Sequence, residues 1–588
     1  MVSTVGSARR GDENVVQADG MQIEYDVPIP MSDGTILRAN VFRPIGDGEF
    51  PVLMSYGPYG KDLPFQDAYP RQFDAMVKAH PEIAVGTTGK HQVWELADPE
   101  RWVPLGYALV RVDARGSGRS PGFIDSFASQ ETRDFYECIE WGGTQPWSNG
   151  KVGLSGISYY AINQWAVAAL QPPHLAAICP WEGMVDWYRD ANYHGGIPSS
   201  FFPRLYGVQI ETVQHGLGTR GQKNERLGVL VSGDVDLGED ELGARRADVA
   251  QELRQHPFID SYWRDRSADL SKVHVPVLSA GNWGGQALHL RGNIAGFVES
   301  ASEQKWLEVH GEAHWTLYYS DYGVDLQRRF FDYFLKDEGD WSHEQPPVSL
   351  NIRHPDETFE LRAEQEWPIA RTDWTTYYLD AADNALSLDP RPQPSEITYE
   401  PFGPGVTLLT PAFEEATEIT GPVAAKLFVS SESEDTDLFL VLHLIDPDGA
   451  EVLFEGATEP RHPLSQGWLR ASHRALDSAR SLPYQPVHPH DAAVPLVPGE
   501  TYELDVEIWP TCIVVPPGCR IALSVLGRDF DHGREGLPTA YGVEMRGSGV
   551  NVHDDPVARS ADVYNRPVTL RSGGAHPSYL LLPVVPPA

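Results

Sequence analysis

The feature that most constrains this chain is a change of hydrophobic period near residue 345. Before it, short apolar runs alternate with stretches of helical spacing. "FPVLMSYGPYG", "YALVRVD", "KVGLSG" and "LAAICPWEG" read as strands. Between them, "ETRDFYECIEWGGTQ" spaces Phe135, Cys138, Ile139 and Trp141 as one helical face, and "YAINQWAVAALQ" reads as a second helix. Strands alternating with helices require a parallel sheet. After residue 345, runs such as "TTYYLD", "LFLVLHLI" and "YELDVEIW" are separated by turns such as "DPDG", "VPGE" and "PPGC". That pattern predicts an all-β sandwich or jelly roll.

A chain of 588 residues exceeds what one hydrophobic core supports. The expected division is a flexible leader over 1–20, an α/β domain over 21–182 and 269–345, and a jelly-roll domain over 346–588. The polar, Arg- and Asp-rich stretch 183–268 interrupts the α/β pattern and is read as a helical cap insertion. "VPIPMSDGTILRANVFRP" is read as an opening hairpin, with Asp33-Gly34 as a type I′ turn signal.

Net charge is −37, which disfavours nucleic acid and anionic membranes as partners. There is no secretory n-region and h-region pattern at the start and no apolar run long enough for a bilayer. The four cysteines lack zinc-like spacing; reduced thiols in a cytoplasmic protein are expected, with a Cys512–Cys519 bridge as the alternative. No metal or organic cofactor is called for. The extra β domain offers a surface through which copies can form a homo-oligomer.

A parallel sheet presents its chemistry at the C-terminal ends of its strands. Tyr59 follows the first parallel strand, and "SGISYY" joins a strand to a helix. Glu182 and Asn282 end two later strands, and His314 follows the last, within "HGEAHW". This is the serine–acid–histidine order of an α/β-hydrolase. The usual G-x-S-x-G does not fit cleanly: Ser155 has Gly153 before it but Ile157 after, and Ser158 has Gly156 before it but Tyr160 after. On the residues alone, a nucleophile and a helix N-cap serine are both open.

"GISYYAINQW" resembles the G-x-S-Y-x-G-x-x-Q-W elbow of the cocaine esterase / X-prolyl dipeptidyl peptidase family, which includes α-amino acid ester hydrolases and glutaryl acylases. The resemblance spans nearly the whole chain. "MSDGTILRANVFRP", "YGPYGK", "DARGSGRS", "VPGETYELDVEIWPTCIVVPPGCRIALSV" and "GGAHPSYLLLPVVP" each match a family segment. It implies an α/β-hydrolase core with a cap and a C-terminal jelly roll. It also implies Ser158 as nucleophile, His314 as base, and an oxyanion hole from the Tyr59 hydroxyl and the Tyr159 N–H.

One departure matters. Where the family has G-W-Y-D, this chain has "AGNWGGQ", and Gly284 replaces the triad aspartate. Glu182, on the preceding strand, is the favoured substitute, with Asn282 as the alternative orienter. Trp181, Trp283 and Trp315, beside these positions, are candidate substrate contacts. The long insertion Asp62–Trp102 is expected to line the pocket with the cap. The reading is a serine hydrolase that cleaves small carboxylic esters through an acyl-enzyme. The alternatives are an amidase or X-prolyl-type peptidase on the same triad, and an idle binding protein.

Overall fold

In a computed structural model of the chain, residues 14–535, 537–538 and 542–587 are described. Of the expected leader, residues 1–13 lie outside them, and Val15–Ala18 is a strand. The first sheet has eleven strands: β1 (Val15–Ala18), β2 (Met21–Pro30), β3 (Ile36–Pro44), β4 (Phe50–Gly57), β5 (Ala108–Asp113), β6 (Ser148–Ile157), β7 (Leu175–Trp181), β8 (Val277–Asn282), β9 (Lys305–His310), β10 (Val348–Arg353) and β11 (Phe359–Glu364). Their order in space is β1-β2-β3-β5-β4-β6-β7-β8-β9-β10-β11. Strands β4 to β10 run parallel, and antiparallel strands close both edges. The chain steps from β4 outward to β5, then returns to β6 on the other side of β4. Loops diverge at such a switch point and leave a crevice above it.

Sequence and burial agree along this sheet. All six residues of β5 are buried, as expected for a parallel strand covered on both faces. Arg111 sits within it, and its guanidinium donates to the carbonyls of His91 and Ala97 at 2.5 Å each. The charge on the strand thereby pins the 62–102 insertion to the sheet. The helices α1 (Ser129–Gly143), α2 (Tyr159–Ala168), α3 (Leu290–Glu299) and α4 (Asp321–Lys336) cover the two faces. On α1, Phe135, Cys138 and Ile139 turn inward.

Three sequence expectations are refined. Strands β10 and β11 extend the first sheet through residue 364, although the sequence boundary at 345/346 assigned them to the second domain. A period of two identifies a strand but not the sheet it joins. The 183–268 insertion mixes short strands with short helical pieces; its longest regular α-helix is Val249–Gln255, and 201–213 is a continuous run of α, π and 3-10 turns. The opening hairpin turns within 32–34, where Gly34 has φ +87° and Asp33 is not at positive φ, so the turn is not type I′.

The C-terminal strands form a second sheet that closes on itself. Thr417–Ser431 pairs with Tyr502–Val515 on one side and with Tyr579–Val585 on the other. Inside lies an aliphatic core that includes Leu427, Leu440, Leu442, Val506 and Leu523. A separate apolar cluster joins the domains, with Trp283, Leu307 and Val309 from the first against Phe439, Trp468 and Trp509 from the second. All four cysteines are free and buried, so Cys512 and Cys519 form no bridge. No helix among the described residues is long and apolar enough to cross a membrane.

Candidate active site

The turn between β6 and α2 is a strained elbow. Ser158 has φ +56° and ψ −116°, outside the regions a side-chain-bearing residue favours. Two features hold it there. Its N–H is shared between the carbonyls of Trp181 and Glu182, both at 3.2 Å, and its carbonyl accepts the N–H groups of Ala161 and Ile162. A Cβ at Gly156 would lie 2.5 Å from Cβ of Tyr160, so the residue two before the serine has to be glycine. Ala161 stands close to the next strand end: a Cβ at Gly183 would lie 2.9 Å from its methyl. The methyl fits because residue 183 has no side chain. Ser155, by contrast, is tied up inside the sheet, bonded to the hydroxyl of Tyr318 at 2.8 Å and to Gln327 at 3.1 Å.

Beside the elbow runs a buried chain of alternating carboxylates and imidazoles. Glu182 Oε2 lies 2.7 Å from Nδ1 of His314, and its Oε1 lies 3.2 Å from Nε2 of His310. His310 Nδ1 in turn meets Glu308 at 2.7 Å. On the far side of His314, Nε2 faces Glu95 Oε1 at 3.1 Å. Asn282 does not reach the histidine; its amide donates to Glu182 Oε1 at 3.1 Å and to the Glu312 carbonyl at 2.8 Å. Of the two orienters read from sequence, Glu182 is therefore the one in contact with His314, and Asn282 steadies it.

Charge follows from this packing. Burial works to raise the Glu182 carboxyl, but the charges of His314 and His310 outweigh it and bring it down to about 2. Burial works to lower His314, but Glu182 and then Glu95 raise it to about 10. His310 is likewise lifted to about 10 against burial, by Glu308 and Glu182. For Glu95, burial prevails over its bond to His314 and the carboxyl is raised. Glu182 is thus the firmly ionised member of the pair that flanks His314.

Ser158, His314, Glu95 and Tyr59 line one cavity of about 610 Å³. The insertion contributes Tyr69 and Trp94, the cap Phe201 and Leu205, and the second domain residues 455–458, Met545, Val550 and Asn551. Tyr59 packs edge-on to the rings of Tyr159 and Tyr160, at 5.6 and 5.7 Å between centroids. Tyr159 heads α2, where a backbone N–H has no carbonyl one turn back to receive it. Its own hydroxyl points away, to Glu131 at 2.9 Å. Of the three tryptophans read as substrate contacts, only Trp315 lines the cavity. Trp181 is fully buried against His310 and Tyr318. Trp283 is buried in the domain interface, its indole N–H on the Asn351 carbonyl at 2.8 Å. Both tryptophans end apolar strands, and sequence adjacency to a site residue does not fix which way an alternating side chain points.

The missing aspartate has a steric cause. A Cβ at Gly284 would lie 2.5 Å from Cα of Gly456 and 2.8 Å from the backbone nitrogen of Ala457. A loop of the second domain occupies the space an aspartate would need. That loop is bonded into the site, because Ala457 donates to the Gly284 carbonyl at 3.0 Å and accepts from the His314 N–H at 2.9 Å. The Asp113 turn is structural. Asp113 accepts from the backbone of Lys61 and Arg119, whereas the Arg115 fork grips Asp134.

Two site groups escaped the sequence reading: Glu95 and His289. His289 stacks on His314, centroids 5.2 Å apart and planes 14° from parallel. His310, within "HGEAHW", is on the sequence reading the fallback to His314 and a support for it; it alternates with Glu308 along β9, which puts both on one face. Glu95 lies in an irregular insertion at φ +62°, and no periodicity marks it.

Comparison with known proteins identifies the family. Residues 33–316 match the X-Pro dipeptidyl-peptidase (S15 family) domain, and residues 340–581 its C-terminal non-catalytic domain. A solved structure of a Staphylococcus aureus CocE/NonD family hydrolase is 32% identical, covers 96% of this chain and 94% of its own, and superposes with a TM-score of 0.82. The cocaine esterase of a Rhodococcus species is 25% identical over 96% of this chain and 98% of its own length. A putative serine esterase of Mycobacterium bovis is 27% identical over 86% of this chain and 90% of its own.

Proposed function

This chain belongs to the CocE/NonD family of serine hydrolases, and we propose that it hydrolyses carboxylic esters through an acyl-enzyme on Ser158. The observation that carries the proposal is the 2.7 Å contact between Glu182 and Nδ1 of His314, with Ser158 and His314 on the wall of one cavity.

In the proposed mechanism, His314 turns its Nε2 from Glu95 to Ser158 and takes the hydroxyl proton as Oγ attacks the ester carbonyl. The Tyr59 hydroxyl and the Tyr159 N–H donate to the oxyanion. Glu182 stays ionised throughout, fixing the tautomer of His314 and stabilising its positive charge. The intermediate collapses as His314 protonates the departing alkoxide oxygen, which leaves the acyl group on Ser158. A water gives its proton to His314 and attacks the acyl carbonyl; the second collapse releases the acid and returns the proton to Ser158.

A cavity of about 610 Å³ with aromatic walls suits a small-molecule substrate. The match to the X-Pro dipeptidyl-peptidase domain supports amide cleavage by the same residues as a second reading. Four free buried thiols suit a reducing compartment, so the proposal places the enzyme in the cytoplasm. The test is Ser158→Ala assayed with p-nitrophenyl esters and X-Pro anilides. Turnover of the preferred class should fall by at least about 10³-fold with the circular dichroism spectrum unchanged. Full turnover in the variant would remove Ser158 from the mechanism.

A further inference from the structure

The wall of the cavity carries polar atoms with no hydrogen-bond partner among the described residues. They include both ring nitrogens of His289 and Nε1 of Trp315. His289 is only 2% exposed. A buried polar atom without a partner is costly, and native interiors rarely leave one so. A histidine with both nitrogens unmet is therefore a site awaiting a complement. The protein side of His289 is closed, because its ring lies flat on His314 and its backbone N–H is bonded to the Gly285 carbonyl. The cavity is where a partner can come from.

The state of His289 says what that partner is. Burial, reinforced by the charge of His314, lowers it to about 3. At neutral pH the ring is uncharged, with one N–H to donate and one nitrogen to accept. It gives no charge to attract a carboxylate or phosphate. A hydroxyl or amide answers it, since each can both donate and accept. Trp315 Nε1 adds a donor on the same wall.

We propose that His289 is a specificity-determining residue that hydrogen-bonds a hydroxyl or amide group of the substrate near the scissile bond. The preferred substrates are thus hydroxyl- or amide-bearing esters rather than plain aliphatic ones. The inference rests on the serine-hydrolase reading and adds the substrate class. A site built to hydrogen-bond one substrate group rejects the analogue that lacks it, because its own polar atoms are then left unmet.

The test compares ethyl butanoate with ethyl 3-hydroxybutanoate and 2-hydroxyethyl butanoate, which place a hydroxyl on the acyl or the alcohol side. Wild-type enzyme should favour at least one hydroxylated ester by about tenfold or more in kcat/KM. His289→Phe keeps a flat ring on His314 and should erase that preference, the favoured hydroxylated ester losing at least about tenfold more in kcat/KM than ethyl butanoate. His289→Asn, which restores a donor and an acceptor, should recover part of it and covers the case in which the Phe variant does not fold. No preference in the wild type, or an equal loss on all three esters, would overturn the proposal and leave His289 as packing for His314. Failure of the hydrolase reading looks different: no ester is turned over and Ser158 takes no fluorophosphonate, which would overturn both.

Discussion

His314 is held by a carboxylate at each ring nitrogen, Glu182 at Nδ1 and Glu95 at Nε2. The two contacts act in opposite senses. The first orients the base; the second engages the nitrogen that has to receive the serine proton. Both stabilise imidazolium, the form that cannot act as a base, and together they raise it to about 10 despite burial. Activity should therefore climb with pH as His314 deprotonates. Glu95→Gln removes one of the stabilising charges, so the pKa of His314 should fall and the rising limb of the kcat/KM profile should move to lower pH. The direct check is a pH–rate profile of both proteins on one ester. A limb that stays in place, or moves to higher pH, would show that Glu95 does not tune the base. Strand-end position brought Tyr59, Ser158, Glu182 and His314 into view in the sequence, and the family resemblance was needed to single out Ser158 and Tyr59. Glu95 and His289 were not legible there, because each reaches the cavity from an irregular segment and is defined by what it faces in space.

At the scale of elements, the elbow and the loop 455–458 explain each other. The strained turn at Ser158 is fastened by the ends of β7, and the ordinary acid position at Gly284 is filled by backbone from the second domain. In the proposed mechanism the acid sits one strand over, on the longer side chain of Glu182. Gly284→Asp should consequently not act as a repair. The new side chain meets backbone at 2.5 Å, which a rotamer change cannot relieve. Overpacking of this kind costs about 1–3 kcal/mol or more, and here it also dislodges the Ala457 carbonyl that accepts from the His314 N–H. Thermal unfolding should show a lowered Tm, and kcat/KM should fall. A Gly284→Asp variant with wild-type Tm and activity would contradict the steric account. The departure at residue 284 was visible in sequence; its cause was not, because the obstructing residues lie some 170 positions later in the chain.

At the scale of the whole molecule, the cavity is complete only when four parts of the chain meet. The α/β sheet supplies Ser158 and His314, the 62–102 insertion Glu95 and Trp94, the cap Phe201, and the second domain Gly456 and Asn551. The change of period near residue 345 was enough to predict the two architectures, since a parallel α/β sheet and an alternating β fold leave different imprints on hydrophobicity. It could not predict that β10 and β11 remain with the first sheet, or that the second domain walls the site. Both depend on long-range packing through the shared cluster of Trp283, Trp468 and Trp509. The central claim is that this assembly activates Ser158. It is tested most directly by fluorophosphonate labelling followed by peptide mass spectrometry on wild-type, Ser158→Ala and Glu182→Gln proteins. A stoichiometric adduct on Ser158 is expected in the wild type, none in Ser158→Ala, and labelling slowed by up to about 10⁴-fold in Glu182→Gln. A folded wild-type protein that takes no adduct at Ser158, or a Glu182→Gln variant labelled at the wild-type rate, would contradict the claim.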